Sequence, residues 1–483
     1  MPGNVLLLNG RILRRDGTIQ GPCDILVESG VIKSVTPSVP SASGATSGVT
    51  PGTIIGVIPG ATSGITPGVT LLQNDPGIGT QAHARTIEAV DCQGCLVSPG
   101  LVNLHTHSPM AIFRGIAEDV NVEDWFNVRI WPFESSLTPE DIRIGSMLAI
   151  SEMLDCGVTA FFDHYFLSEE IAGVAMEAGM RADIAPTIFG MGPRWQESLD
   201  EASLLIERAN QGAYGNRVRM RMGPHAPYTC TQDVLEACAK RAGELGVGVH
   251  IHVSETEKQV HDSIAQYGKT PFERLHEAGL LDIPCIIAHG IWILEQELEL
   301  LGPDLVFAVA PKTYLKLASG FGNLYRFQLS GGPASGMLQV GIGTDGAASS
   351  NTLNPLEQAR LYGLLAKNYL ADATVYGLKM VWNMLMEGHS ALGQNTGDIA
   401  SGFEADLVVW DFRTPHTWPV YDPLAALIYS AGAGNVRDVL IGGEFKKKAG
   451  KVRVFEDTCV FDEAERVKSR LLARGAGRAR VKY

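Results

Sequence analysis

The sequence predicts an α/β protein, a TIM (β/α)8 barrel with a small β-sandwich domain built from both terminal segments. Between about residue 100 and residue 367, eight short β-branched runs alternate with longer segments of helical periodicity. Short strands and turns precede this region, and similar strands return after about residue 400. Two β segments that flank a barrel pack most simply against each other, so we expect the terminal segments to meet in one small domain.

The predicted barrel strands follow one another at the spacing of β/α repeats. Helical periodicity is clear in residues 142–157, 231–246 and 354–368. A barrel of this kind carries its chemistry at the C-terminal ends of its strands, which is where functional residues are to be sought. The strands are predicted over residues 101–105, 158–163, 182–189, 217–223, 247–253, 285–290, 305–310 and 338–344.

The predicted domain boundaries assign residues 1–97 to the first part of the β-sandwich, 98–399 to the barrel, and 400–483 to the second part of the sandwich and a tail. Residues 41–73 form a Gly-, Ser-, Thr- and Pro-rich segment in which GATSGVTPG recurs almost unchanged as GATSGITPG. Such a composition buries too little apolar area to offset the entropy of ordering the chain. We therefore expect a surface insertion or disordered loop.

Length, charge and composition limit the class of function. The chain has 483 residues, a net charge of −14 and an apolar fraction of 45%, which favours an enzyme with a small-molecule substrate over a protein that neutralises nucleic-acid phosphates. The apolar run at residues 5–8 is too short for a signal peptide or a membrane span. We expect a cytoplasmic protein without nucleic-acid or membrane partners, with reduced cysteines; the sequence leaves a homo-oligomer open.

The stretch GLVNLHTHSPM places two histidines at the end of the first predicted strand. Alternate side chains of a strand share a face, so His105 and His107 point the same way, about 6.7 Å apart along the strand, and could share a metal. In the fifth strand, VGVHIHVSETEK, His252 lies nearer the C-terminal mouth and His250 one layer deeper. Glu255 follows three residues after His252 and can lean over the same point.

Two further strand ends add to this set. The sixth strand ends in IAHG with His289, and the eighth ends in GTDG with Asp345. Titratable side chains at the ends of four strands of one barrel are costly to bury unless they bind something. Histidine and aspartate ligands without a thiolate suit one divalent zinc ion, and iron or manganese also fit.

The residue set predicts hydrolysis. A divalent metal can lower the pKa of its bound water to about 7. Asp345 and His289 can hold that water, while Glu255 can carry its proton to the leaving side of the substrate. Attack on an sp² carbon that bears nitrogen, with loss of ammonia, needs these parts and no nucleophilic side chain. An amide or a C–Cl bond could be opened by much the same set.

Several motifs occur in a fixed order along the chain: LVSPGLVNLHTHSPMAIFRGIAED, GPHAPYT, HVSETEKQV, AHG, GTDGAASSN and EADLVVWD. With them, nearly the whole chain resembles the amidohydrolase superfamily, and within it the S-adenosylhomocysteine and methylthioadenosine deaminases and their chlorohydrolase relatives. The resemblance implies four metal ligands, which are His105, His107, His252 and Asp345. It also implies that Glu255 is the proton shuttle and that His289 hydrogen-bonds the water.

The same resemblance bears on the substrate. Glu134 in WPFE matches a glutamate that holds ribose hydroxyls in deaminases of adenosine-like compounds. His225 in GPHAPYT matches another pocket residue, and Arg194 in GPRWQES is aligned with an arginine near the ribose or its 5′ substituent. We therefore expect a metal-dependent hydrolytic deaminase of an adenosine-like purine compound, such as S-adenosylhomocysteine, methylthioadenosine or adenosine.

One departure from the family pattern leaves an alternative open. Where the family has His-Asn before its LKL segment, this chain has Val309 and Ala310, so the end of the seventh strand is less polar. The alternative is an amidohydrolase acting on another heterocycle, either a guanine-type deaminase or a triazine-type chlorohydrolase or aminohydrolase. A non-catalytic scaffold would be expected to lose metal ligands, and this chain keeps them all.

Overall fold

The computed structural model describes residues 4–38, 53–56, 69–73, 83–330 and 338–474. The chain divides into two compact units. The first comprises Met1–Gly100 and Gly393–Arg453, and the second comprises Leu101–Leu392 and Val454–Tyr483. Among the described helices, none has the length and apolar character needed to cross a membrane.

The first unit is built on one hydrogen-bonded sheet that joins strands from both of its chain segments. Strand Val5–Leu13 pairs antiparallel with Ile19–Glu28 and parallel with His83–Asp91 and Leu96–Pro99. Leu96–Pro99 pairs in turn with Leu407–Trp410. The terminal segments thus meet in one sheet, whereas its arrangement as a sandwich stays a prediction. The other strands of this unit outside residues 41–73 are Val31–Pro37, Val436–Ile441, Glu444–Lys448 and Lys451–Val452.

Alternation of side chains along these strands buries one apolar cluster. Its members include Ile12, Ile25, Val97, Leu407 and Val409, each 0% exposed. Because they come from strands at both ends of the chain, neither segment could bury this cluster alone.

Two short parts of the predicted surface insertion are strands. Thr53–Gly56 pairs with Val69–Gln73, which pairs with His83–Asp91. At these positions the β-branched runs TIIG and VTLLQ, which suit a sheet, form strands and not a disordered loop, while the surface insertion over residues 41–73 stays a prediction. The rest of that segment lies outside the described residues.

The second unit contains the predicted barrel, and all eight predicted strands are present as parallel neighbours in chain order. Between the fourth and fifth strands, the His250 backbone N–H donates to the Met222 carbonyl oxygen, and between the eighth and first, the Asp345 N–H donates to the His105 carbonyl oxygen. These bonds close the barrel. The strands are Leu101–Thr106, Val158–Tyr165, Arg181–Ile188, Val218–Met220 with Gly223–Pro224, Val249–Val253, Cys285–His289, Leu305–Val309 and Gln339–Ile342.

Amphipathic helices connect the barrel strands. Helix Gln232–Leu245 buries Val234, Cys238 and Ala242, which are spaced by one turn. Other α-helices of this unit are Val122–Asp124, Trp131–Glu134, Pro139–Asp155, Ser168–Ala178, Trp195–Asn210, Glu257–Tyr267, Pro271–Glu277, Pro311–Lys316, Leu324–Ser330, Ala347–Ser350, Pro355–Leu370, Leu378–Met386 and Gly388–Leu392.

The C-terminal helix Asp457–Arg474 belongs to the barrel unit, whereas the sequence analysis assigned residues 400–483 to the second part of the β-sandwich and a tail. Arg470 forms an ion pair with Asp141, which is fully buried and accepts a hydrogen bond from the N-cap residue Thr138. The helix buries Val460, Val467 and Leu471. Its predicted boundary differs because the sequence does not reveal which unit covers an amphipathic face.

Candidate active site

The predicted metal ligands converge at the C-terminal mouth of the barrel. Nε2 of His107 lies 3.3 Å from Nε2 of His252 and 3.2 Å from Oδ1 of Asp345. Nε2 of His105 lies 3.8 Å from the same aspartate oxygen. Side chains from the first and fifth strands and from the end of the eighth therefore present nitrogen and oxygen atoms to one small space.

Hydrogen bonds at the second ring nitrogen orient two of these histidines. Nδ1 of His107 donates to the carbonyl oxygen of His164 at 2.6 Å, and Nδ1 of His252 donates to that of His225 at 2.8 Å. Such bonds fix the ring and leave Nε2 directed at the shared space.

The third histidine carries an unpartnered atom. His105 is fully buried, and its Nε2 has no hydrogen-bond partner within the described part of the chain. Its Nδ1 lies 2.9 Å from Nε2 of His250, one layer deeper in the barrel. A buried polar atom left without a partner is costly, so this nitrogen fits a metal ligand. Three imidazoles and one carboxylate are a donor set that zinc accepts.

Asp345 is held as an anion. It has φ +61° and accepts hydrogen bonds from Gly346 N at 2.8 Å and Ser349 Oγ at 2.9 Å. Burial opposes its ionisation, but the hydrogen bond and charge of His107 hold the pKa of the carboxyl below its usual range. The same contact raises the pKa of His107 to about 9 against the opposing effect of burial. The position between the two side chains therefore favours positive charge, as a metal site requires.

Glu255 lies beside these ligands, just past the fifth strand. It is 7% exposed, and its backbone N–H donates to Oε1 of Gln259 at 3.0 Å. Burial raises the pKa of its carboxyl. A raised pKa makes a carboxyl a better proton acceptor than an ordinary glutamate, which suits a group that takes up a proton and passes it on.

His289 ends the sixth strand with φ +67°, and its ring centroid lies 5.3 Å from that of His105. Its Nδ1 lies 3.2 Å from the hydroxyl of Tyr314, which also accepts a hydrogen bond from Ala310 N at 2.9 Å. The Tyr314 hydroxyl therefore supplies a polar group at the end of the seventh strand, where this chain has Val309 and Ala310 in place of the family's His-Asn pair.

Glu134 lies in the same cavity, at the end of the short helix Trp131–Glu134. Its carboxylate accepts a hydrogen bond from the Tyr165 hydroxyl at 2.6 Å. Burial raises the pKa of this carboxyl although the hydrogen bond from Tyr165 opposes the rise. Besides the proposed ligand Asp345, the cavity thus holds two buried glutamates with different neighbours.

Aromatic side chains form much of the remaining wall, which suits a flat heterocycle. They include Trp125, Phe126, Phe189 and Tyr228. The ring of His225 also lines the cavity, with its centroid 4.6 Å from that of Phe189.

One predicted substrate-binding residue lies elsewhere. Arg194 is exposed at the start of helix Trp195–Asn210 and is not among the described side chains that line the cavity. The structure brings His225 and Glu134 to the site and leaves Arg194 outside it. The arginine sits in a turn, where a short motif fixes position poorly.

Sequence analysis did not select several residues that the structure places at the site. His164 and Tyr165 end the second strand, and burial lowers the pKa of the His164 imidazole to about 3. The rule that chemistry lies at the C-terminal ends of barrel strands would have found both. Tyr314 and Ser349 act through contacts with residues far along the chain, and no local pattern marks them.

A closed (β/α)8 barrel with this donor set and a buried glutamate at its strand ends has the architecture of a metal-dependent hydrolase. The sequence model of the Amidohydrolase family matches residues 96–446, and the chain belongs to that family.

Named relatives agree with this assignment. The chain is 36% identical over 389 residues to the 5-methylthioadenosine/S-adenosylhomocysteine deaminase of Desulforudis audaxviator, covering 80% of this chain and 89% of that protein. It is 35% identical over 404 residues to the 5′-deoxyadenosine deaminase of Methanosarcina mazei, covering 82% and 91%. A solved adenosine deaminase from Xanthomonas campestris with bound zinc is 28% identical, with a TM-score of 0.82 and coverage of 98% and 99%.

Proposed function

We propose that the protein is a hydrolytic deaminase that releases ammonia from the purine ring of adenosine or a 5′-substituted adenosine, such as methylthioadenosine or S-adenosylhomocysteine. The observation that carries this proposal is one aromatic-walled cavity that holds Glu255 beside the ligand set together with a second buried carboxylate, Glu134. The names of the relatives support the same substrate class.

The site is proposed to hold one divalent ion, with zinc as the first candidate and iron or manganese as alternatives. Its ligands are His105, His107, His252 and Asp345. When bound, the ion supplies a water molecule whose pKa is lowered to about 7.

The protein's own side chains then manage the water and its protons. Asp345 and His289 hold the water, whose oxygen bonds to the ring carbon that carries the amino group. Glu255 moves one proton of the water to the adjacent ring nitrogen. The second proton of the water passes from the added hydroxyl to the amino nitrogen, so that the carbon–nitrogen bond breaks, ammonia leaves and the carbon–oxygen double bond forms. The raised pKa of Glu255 suits a group that must accept a proton and return it.

Two side chains are proposed to bind the substrate away from the reacting carbon. The Glu134 carboxylate uses one oxygen for Tyr165, which leaves the other for ribose hydroxyls. His225 faces the nucleoside from the cavity wall. The role of Arg194 stays a prediction from the resemblance, as do a cytoplasmic location and the absence of nucleic-acid and membrane partners.

The alternative of another heterocycle depended on Val309 and Ala310. Neither is among the described residues that line the cavity, and Tyr314 supplies a hydroxyl beside them. The departure from the family pattern therefore gives no support to a guanine or triazine substrate.

Ammonia release from adenosine, methylthioadenosine, S-adenosylhomocysteine, guanine and a chlorotriazine, with chloride release also measured for the triazine, tests the proposal. We expect kcat/KM to be highest for one of the adenosine compounds. Higher kcat/KM for guanine or the triazine than for every nucleoside would overturn the substrate class.

A further inference from the structure

A buried carboxylate of the second strand bonds the backbone just after the proposed ligand His107. The register between strands Leu101–Thr106 and Val158–Tyr165 ends with the pair Thr106 and Asp163. Past this pair, the side chain of Asp163 continues the contact, because its Oδ2 accepts the backbone N–H of Ser108 at 2.9 Å. The two strands therefore stay bonded one residue beyond His107.

The same bond caps a short helix. Residues Ser108–Phe113 form a 3-10 helix whose N-cap residue, His107, makes no side-chain cap hydrogen bond. The first N–H groups of a helix have no partner within the helix, so they need one from elsewhere. Asp163 supplies that partner for Ser108. Because Met110 of this helix lines the site cavity, the bond fixes part of the cavity wall as well as the end of the first strand.

Two consecutive residues of the second strand thus hold two consecutive residues of the first. The carbonyl oxygen of His164 accepts from Nδ1 of His107, which fixes the ring. The carboxylate of Asp163 accepts from Ser108, which fixes the backbone next to that ring. Together these bonds restrict where Nε2 of His107 can point, and that atom faces the other proposed ligands.

The position of Asp163 is a costly one for a carboxylate. The residue is fully buried. Burial raises the pKa of its carboxyl to about 6, although the hydrogen bond from Ser108 and the charge of His107 oppose the rise. An apolar side chain in this strand would avoid the cost of burying a charge. The benefit of an aspartate here therefore lies in the bond that it accepts and not in the packing of the strand.

We propose that Asp163 is a positioning residue of the metal site, which holds His107 in place by accepting the Ser108 N–H. It is not among the described residues that line the site cavity, so it acts through His107 and not on the substrate. Residues that orient a metal ligand typically change metal affinity by about 10- to 100-fold. This inference rests on the proposed metal site.

The test is the Kd of zinc for the metal-stripped full chain, measured by competition with a chromogenic chelator. Asp163→Ala should raise this Kd by about tenfold or more. Asp163→Val, which fills the space that alanine leaves, should raise it to the same extent. Asp163→Asn keeps an oxygen that can accept the Ser108 N–H, and its Kd should stay within about fivefold of the parent, since a neutral acceptor is worth about 1 kcal/mol less than a charged one.

Asp406→Ala is the matched control. Asp406 is also buried, and its carboxylate accepts the backbone N–H of Gly442 at 2.8 Å, in the first unit. Both alanine variants should lower the Tm of the metal-free chain, because each loses one buried hydrogen bond. Only Asp163→Ala should change the Kd of zinc and the visible absorption of the cobalt-substituted chain, which reports the ligand geometry around the ion.

A zinc Kd within twofold of the parent in Asp163→Ala or Asp163→Val overturns the inference. So does an Asp163→Asn variant that binds zinc as weakly as Asp163→Ala, because the charge and not the bond to Ser108 would then matter. A parent chain that binds none of zinc, iron or manganese overturns the proposed metal site and this inference with it. A parent that binds zinc but deaminates no nucleoside overturns the proposed function alone, since ion binding is measured without substrate.

Discussion

At the scale of single residues, the two buried glutamates of the cavity have different neighbours. Glu255 follows the metal ligand His252 and is fixed through its backbone by Gln259. Glu134 is bonded to Tyr165 and contacts no ligand of the proposed metal by a hydrogen bond among the described residues. Replacing each glutamate with glutamine should therefore change different kinetic parameters.

Glu255→Gln should retain metal and bind substrate but lose roughly 10²- to 10⁴-fold in kcat, because it removes the group that carries the proton. Glu134→Gln should lose roughly ten- to a hundredfold in kcat/KM on nucleosides, since hydrogen bonds to a charged group are worth about 1.5–3 kcal/mol. It should lose little on any ribose-free purine that the parent turns over. Steady-state kinetics on both kinds of substrate measures the contrast, and equal effects of Glu134→Gln on the two kinds would remove the ribose assignment.

Tyr314 is a positioning residue, because its hydroxyl reaches His289 and not the substrate. Tyr314→Phe should lower kcat about tenfold, in line with the loss of one or two hydrogen bonds of about 1 kcal/mol each, and leave KM and bound metal unchanged. Tyr376→Phe is the control, since it removes a buried hydroxyl that donates to the Tyr325 carbonyl oxygen at 2.6 Å, outside the described site lining. If both variants lost kcat equally, the effect would be one of stability alone.

At the scale of secondary-structure elements, closure of the barrel depends on a close approach between its last and first strands. A Cβ atom on Gly343 would lie 2.8 Å from Cβ of His105 and 2.9 Å from its carbonyl oxygen. The chain therefore needs glycine at position 343, because any larger residue there would collide with His105, a proposed metal ligand on the first strand.

Gly343→Ala should displace His105 and reduce both metal content and turnover, because backbone atoms cannot move aside as a flexible side chain can. Metal analysis of the purified variant measures this directly. Gly243→Ala is the control: it lies in helix Gln232–Leu245 with nothing within 4 Å of the added carbon. That change should be neutral or stabilise by about 0.4–1 kcal/mol. Full metal content in Gly343→Ala would show that the strands can separate without cost to the site.

The elements were predictable where one local rule determines them. The eight buried strands are predicted by β-branched runs. The histidines and the aspartate are then found because functional residues of such a barrel lie at the C-terminal ends of its strands. The contacts of Glu134 with Tyr165 and of His289 with Tyr314 join different elements, so no spacing along the chain encodes them. For the same reason, the sequence does not reveal which unit helix Asp457–Arg474 packs against.

At the scale of the whole molecule, a metal that binds only the folded barrel should stabilise the folded state. A chelator should abolish turnover and lower the Tm, because a ligand at a hundredfold excess over its Kd stabilises the folded state by about 2.7 kcal/mol. Adding zinc back should restore both, with about one ion per chain. Asp345→Ala should be inactive and lose this response of the Tm to chelator. Activity of that variant without added metal would contradict the proposed site.

The sheet of the first unit also has a consequence for the order of synthesis. Strand Leu96–Pro99 is made early, but its partner Leu407–Trp410 emerges only after residues 100–406. Closing so long a loop is entropically costly, and until then the N-terminal strands present unpaired backbone groups at an open edge. The N-terminal part of the sheet therefore stays without its C-terminal partner strands while the entire barrel is synthesised. During this interval the nascent chain most needs protection from association with other chains.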